Sequence, residues 1–170
     1  LGKPVHNRTR NSGLFSPADG EPPVKILHLI TDLDIGGAEM MLFNLLKVPP
    51  IGGTIIRVVS LINIGMLGSR IKQLGIPVQS LGMRPGHPDL SALWQLARWL
   101  RRDPPDLIQT WMYHADLLGG LAARLAGNMP VVWGIHHTLG GEQPVRPRTM
   151  AVLRLNAMLS SWMPLRVVCC

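Results

Sequence analysis

A few glycines, histidines and carboxylates carry the chemistry open to this sequence, and their neighbours say what each can do. Gly36 and Gly37 stand in "ITDLDIGGAEMMLFNLL", where an apolar run gives way to helical spacing. Consecutive backbone N–H groups at a helix start form a nest along the positive end of the macrodipole, so a phosphate is the natural guest. The same pair would equally let a strand and a helix pack closely. Glu39 suits the first turn of such a helix, where a carboxylate complements the dipole. His114 and Asp116 lie in "TWMYHAD", and His136 and His137 end "PVVWGIHH". A neutral imidazole exchanges hydrogen bonds with a sugar hydroxyl or stabilises charge developing at a leaving group. Since His136 and His137 are neighbours in a strand-like run, at most one of them aims into a given cleft. Either could instead be a histidine satisfied by backbone partners at a strand end. No carboxylate or thiolate joins the histidines at recognisable ligand spacing, so no metal is expected.

These residues need elements to hold them. From Val24 onward short apolar runs alternate with amphipathic segments, which is the pattern of βαβ units. Strands are predicted over Val24–Ile30, Thr54–Ile62, Ile76–Leu81, Asp106–Trp111 and Pro130–His136, with a sixth beginning in "LRVVCC". Helices are predicted near 37–48, 67–74, from Asp89 as N-cap to the prolines at 104 and 105, and near 114–126 and 148–161. In the first helix Ala38, Met41, Leu42, Leu45 and Leu46 form a stripe expected to be buried. In the third, Leu90, Leu93, Trp94, Ala97 and Leu100 are expected inward, opposite Gln95, Arg98, Arg101 and Arg102. Right-handed crossovers then predict an α/β, Rossmann-like doubly wound parallel sheet with helices on both faces, in strand order 3-2-1-4-5-6. Ligands of such sheets bind beyond the carboxyl ends of the strands where the order reverses, here the crevice between strands one and four. Gly36 and Gly37 follow strand one, Arg84 and His87 strand three, His114 and Asp116 strand four, and His136 and His137 close strand five. All of them fall on that edge.

The 170 residues suffice for one domain, and 46% hydrophobic with 16% charged residues is a globular composition. Residues 1–23 are polar, carry Pro and Gly and show no apolar period, so they read as a disordered lead-in to a domain over 24–170. A net charge of +7 favours phosphates, anionic lipid heads or nucleic acid, although runs such as "ARWLRR" also serve as solvated helix faces. Both cysteines, Cys169 and Cys170, are adjacent, which offers no disulfide framework and implies a reducing compartment. No apolar run reaches the roughly 18 residues of a membrane span, so any membrane contact is expected to be peripheral. A dinucleotide oxidoreductase is disfavoured: the loop reads "DIGGAE" instead of G-x-G-x-x-G, and "SLINIGM" supplies no ribose-binding carboxylate. A nucleic-acid binder is disfavoured too, since no recognised module appears and the arginines are spread over several helices.

The segments "VKILHLITDLDIGGAEMMLFNLL", "PDLIQTWMYHADLLGGLAARLAGNMPVVWGIHHT" and "RVVCC" together resemble the N-terminal domain of family-four glycosyltransferases of the GT-B fold. The likeness is greatest to bacterial enzymes of exopolysaccharide, capsule or lipopolysaccharide synthesis. It covers 24–170 and rests on an ordered set: Gly-Gly-Ala-Glu after strand one, Tyr-His-Ala-Asp after strand four and a histidine ending strand five. The resemblance implies a retaining, metal-independent transfer from a nucleotide-sugar donor, with no cofactor, to a polysaccharide or lipid-linked acceptor. It puts Gly36 and Gly37 at the donor phosphates, His136 at the transferred sugar with His137 as second choice, and His114 and Asp116 on the acceptor side. It also implies a second, donor-gripping Rossmann-like domain beyond these residues, so the chain alone is expected to be inactive. The expected place of action is the cytoplasm, at the inner face of the membrane. The alternative is a noncatalytic sugar- or lipid-binding Rossmann-like domain.

Overall fold

The structure, a computed structural model, describes residues 22–87, 89–134 and 147–169. The elements run β1 (Lys25–Ile30), α1 (Gly37–Leu46), β2 (Ile55–Ser60), α2 (Gly65–Gln73), β3 (Val78–Ser80) and α3 (Leu90–Arg102). They continue as β4 (Leu107–Trp111), α4 (Tyr113–Ala126), β5 (Val131–Gly134), α5 (Pro147–Leu159) and β6 (Leu165–Cys169), with a 3-10 turn at Ile51–Gly53. Six parallel strands form one sheet in the order β3-β2-β1-β4-β5-β6, as the crossover argument requires. The lead-in over 1–21 and the end of strand five beyond Gly134 lie outside the described residues.

β1 is the centre of the sheet, with Ile30 paired to Ser60 on one side and to Trp111 on the other. A central parallel strand is covered on both faces, which is why "KILHLI" is nearly continuously apolar. On one face Ile30, Val58 and Val78 meet Leu42, Phe43 and Leu46 of α1 and Leu67 and Ile71 of α2. On the other, Leu27, Leu29, Val59 and Ile108 meet Leu96 and Leu100 of α3 and Ala122 and Ala123 of α4. Full burial of such a side chain stabilises by roughly 1.5–3 kcal/mol. α4 lies close to the strands because Gly119 has no Cβ; one there would sit 2.7 Å from Thr110 Cγ2 and 2.8 Å from Leu29 Cδ2. Asp89 caps α3 as expected, its carboxylate accepting from the Ser91 and Ala92 N–H groups. The Ser91 hydroxyl adds to these bonds, and together they hold the Asp89 carboxyl below its ordinary range.

Two helices are rotated from the predicted phase. In α1 the buried residues are Ala38, Glu39, Leu42, Phe43 and Leu46, while Met41 and Leu45 stand about half exposed. α1 is apolar nearly all round, so its period admits more than one phase, and seating the Phe43 ring selects this one. In α3 the inward residues are Ala92, Leu96, Ala97 and Leu100, and Leu90 and Trp94 face out, 72% and 54% exposed. Small Ala92 and Ala97 let α3 approach the strands, which leaves the indole outside.

Candidate functional site

Because β1 and β4 are neighbours and their helices cover opposite faces, the amino ends of α1 and α4 open on either side of the strand-order reversal. Two helix dipoles therefore present their positive ends to one crevice.

Gly36 is the N-cap of α1, extended at φ −154°, ψ 178°, with no side-chain cap bond. Any residue can adopt that backbone. The Glu39 carboxylate folds back over the glycine, its Cδ 3.0 Å from where a Cβ would sit, so a side chain at this position would displace that carboxylate. Glu39 is only 8% exposed. Burial pushes its carboxyl above the ordinary range, the bond from its own N–H opposes that, and Asp32 and Asp34 push it further up. Gly37 differs: nothing lies within 4 Å of its Cβ position. The nest is thus closed by a carboxylate on the Gly36 side and open on the Gly37 side.

At the matching turn after β4, Met112 adopts φ 75°, ψ 150°, a region that costs a non-glycine residue of order 1–3 kcal/mol. Two bonds hold it there: its N–H donates to the Gly134 carbonyl at 3.1 Å, and its carbonyl accepts from the Asp116 N–H at 3.0 Å. The turn starts α4 at the crevice with Tyr113 and His114, whose rings lie 4.5 Å apart at 47°. His114 is half-buried, and that burial lowers its pKa. A neutral imidazole results, able both to donate and to accept a hydrogen bond.

Asp116 corrects the expectation that it lines the acceptor side. It is 2% exposed and turned inward, Oδ1 lying 2.5 Å from Thr110 Oγ1. The reason is helical geometry: two residues after His114 the side chain has rotated about 200° around α4, from the rim to the sheet. Burial pushes its carboxyl up to about 7, against the lowering effect of the Thr110 bond. Thr110 Oγ1 also lies 3.2 Å from the Val132 carbonyl of β5. The hydroxyl has one proton for two acceptors. When Asp116 is protonated it donates to Thr110, which frees the Thr110 proton for Val132.

Three supports carried no clear mark in the sequence. Trp111 Nε1 donates to Nδ1 of buried His28 at 3.3 Å, and burial brings the His28 pKa down to about 4. Asn156 Nδ2 of α5 donates to the Tyr113 carbonyl at 2.8 Å, fastening α5 to the start of α4. Met112 gave no signal, since methionine does not advertise a positive φ. The histidine inside "VKILHLI" and the asparagine in an apolar stretch of α5 were the available hints for the other two.

Arg84 and His87 are exposed on the loop after β3, where the Arg148 guanidinium donates to the Gly86 carbonyl at 3.4 Å. His136 and His137 lie outside the described residues. Among the described residues no group of three or more His, Cys, Asp or Glu side chains is placed to hold a metal ion.

No curated protein matches the chain significantly. Among solved structures, HepE of Anabaena in complex with UDP and glucose superposes with a TM-score of 0.60 at 22% identity, covering 78% of this chain and 35% of that one. HepE with UDP gives 0.61 at 20% identity, covering 86% and 44%. The lipopolysaccharide outer core galactosyltransferase WaaB, in its apo form, gives 0.52 at 13% identity, covering 76% and 37%. The shared feature at these identities is the fold, and the chain spans well under half the length of each structure. The family profile described as Glycosyltransferase Family 4 matches residues 35–170, and the chain therefore belongs to that family, with the Rossmann-like fold of the N-terminal part of a GT-B enzyme.

Proposed function

We propose that this chain forms the acceptor-side wall of a glycosyl-transfer cleft, moving a sugar from a UDP-sugar to a polysaccharide or lipid-linked acceptor. The observation that carries the reading is the convergence of the α1 and α4 amino ends at the strand-order reversal, with Gly37 exposed and half-buried His114 in the first turn of α4. The donor class is suggested by the UDP and glucose bound in the structural neighbours.

In this reading the donor diphosphate approaches on the Gly37 side, where the N–H groups and the α1 dipole favour developing negative charge. The Gly36 side is left to Glu39, which with Asp32 and Asp34 repels a phosphate placed too deep. His114 exchanges a hydrogen bond with an acceptor hydroxyl, and His136, by family resemblance, touches the transferred sugar. Asp116 acts from behind, through Thr110 and the β5 strand that leads towards His136. The helix dipoles and imidazoles supply the charge stabilisation, with no cofactor required. A second Rossmann-like domain supplies the rest of the donor pocket and excludes water, so the chain alone does not turn over. Action in the cytoplasm, at the inner membrane face, suits a lipid-linked acceptor.

The test uses a protein in which this chain is joined to a donor domain, with labelled sugar transfer as readout. His114→Ala is expected to lower kcat/KM about 10- to 100-fold, and His136→Ala by 100-fold or more, with thermal stability nearly unchanged. Loss of stability in step with activity would contradict these roles. Sugar or lipid binding with no turnover would favour the noncatalytic alternative.

A further inference from the structure

The residue that α5 buries is polar: it is Asn156, 5% exposed. Its amide does half of what a buried amide can do. Nδ2 donates to the Tyr113 carbonyl at 2.8 Å, while Oδ1, shut off from solvent, has no hydrogen-bond partner among the described residues. A solvent-excluded acceptor left without a donor costs free energy that an apolar side chain of the same shape does not incur. The carbonyl that receives the Nδ2 bond does not depend on it either. Tyr113 is the first residue of α4, and a carbonyl there accepts from the N–H four residues on in any case. Leucine at position 156 would therefore serve the contact between α4 and α5 at least as well as asparagine does. Stability does not explain the residue.

What the bond fixes is place. The turn after β4 is held at Met112 by β5 and by α4 itself, through the Gly134 carbonyl and the Asp116 N–H. Asn156 adds a hold one residue further on, from a third element, at the residue whose ring lies against the His114 imidazole. Towards its other end α5 reaches the loop after β3, where Arg148 donates to the Gly86 carbonyl at 3.4 Å. Between residues 148 and 156 a helix rises about 12 Å. α5 thus runs from the loop of Arg84 and His87 to the turn of His114.

We infer that Asn156 is a positioning residue: from α5 it holds Tyr113 so that the His114 imidazole keeps one setting on the acceptor side of the crevice, at the expense of an unsatisfied buried acceptor. This rests on the role of His114 proposed above and adds the residue that places it. A group displaced by 1 Å costs a transfer reaction on the order of a hundredfold, whereas one unmade hydrogen bond is a small part of a domain's stability. Rules of packing are broken where a site needs them broken.

The test compares Asn156→Leu and Asn156→Ala with the parent 170-residue chain by thermal melts and by NMR titration of the His114 Cε1 proton, whose signal is identified by its loss in His114→Ala. Leucine keeps the volume and drops the orphaned oxygen, so Tm should stay unchanged or rise; alanine opens a cavity and should lower it. In both variants the His114 titration should move up towards the ordinary 6.5 by the same amount, since burial lowers it in the parent and a loosened first turn admits water to the ring. Circular dichroism checks that each variant folds. A His114 titration unmoved in both variants overturns the inference, as does one that follows Tm and shifts more in alanine than in leucine. So does a Tm loss in Asn156→Leu as large as that in Asn156→Ala, which would make the amide a structural clasp. Neither readout needs turnover. Normal sugar transfer by His114→Ala would sink the transferase role of that residue and leave its placement by Asn156 standing.

Discussion

Asp116 sits where a carboxyl is costly, and that gives it a pH signature. Its folded pKa, about 7, is above the ordinary 3.8 because burial penalises the charged form. The folded chain keeps a proton through a window in which the unfolded chain has lost it, so stability is fully present near pH 4 and is lost as pH rises towards 7. The interval corresponds to several kcal/mol, on the order of 1.4 kcal/mol for each tenfold change in proton affinity. His28 has the opposite sign: its folded pKa, about 4, is below the ordinary 6.5, so its contribution is lost as pH falls through that interval. The two windows overlap and largely cancel in the parent, and single variants separate them. Denaturant titrations from pH 4 to 8 should show Asp116→Asn gaining several kcal/mol relative to the parent as pH rises. A constant difference would mean that Asp116 is ionised in the fold. At this scale the positions of the diglycine turn after β1 and of His114 in the first turn after β4 were legible, because residue type and place after a strand suffice. The inward turn of Asp116 was not, since which face of α4 meets the sheet is settled only by packing, and a carboxyl there needs the Thr110 hydroxyl as partner.

The elements were the most legible part, because βαβ periodicity, the Asp89 cap and the Gly127 stop are local signals that tertiary packing confirmed. Phase was harder to read. α1 offers Met41 and Leu45 or Phe43 and Glu39 to the strands, and only the shape of the opposing face decides between them. Gly119 marks a close helix-to-sheet approach, with Thr110 and Leu29 below it. Gly119→Ala should therefore destabilise by about 1–3 kcal/mol, lowering Tm by roughly 2–4 °C per kcal/mol. Thermal melts of the parent and the variant measure this. An unchanged Tm would show that α4 can lift without cost, and that the β4–α4 turn is less firmly held than its bonds to Gly134 and Asp116 imply.

Across the whole molecule the two faces of the sheet divide their work. The carboxylates Asp32, Asp34 and Glu39 gather on the α1 side of the crevice, whereas the only carboxylate within α3, α4 and α5 is the buried Asp116. That polarity was half visible in the sequence: a net charge of +7 suggested an anionic partner, but only the fold shows which helices carry the arginines and where the carboxylates gather. Between the two sides lies the edge where α1 and α4 begin. In the proposed function this edge receives the donor diphosphate, which backbone amide chemical-shift mapping of the 170-residue chain with millimolar UDP-glucose checks. Shifts concentrated at Gly36, Gly37 and Ala38 are expected. Shifts centred instead at the amino ends of the strands, near Lys25 and Arg57, or none at Gly37, would contradict it.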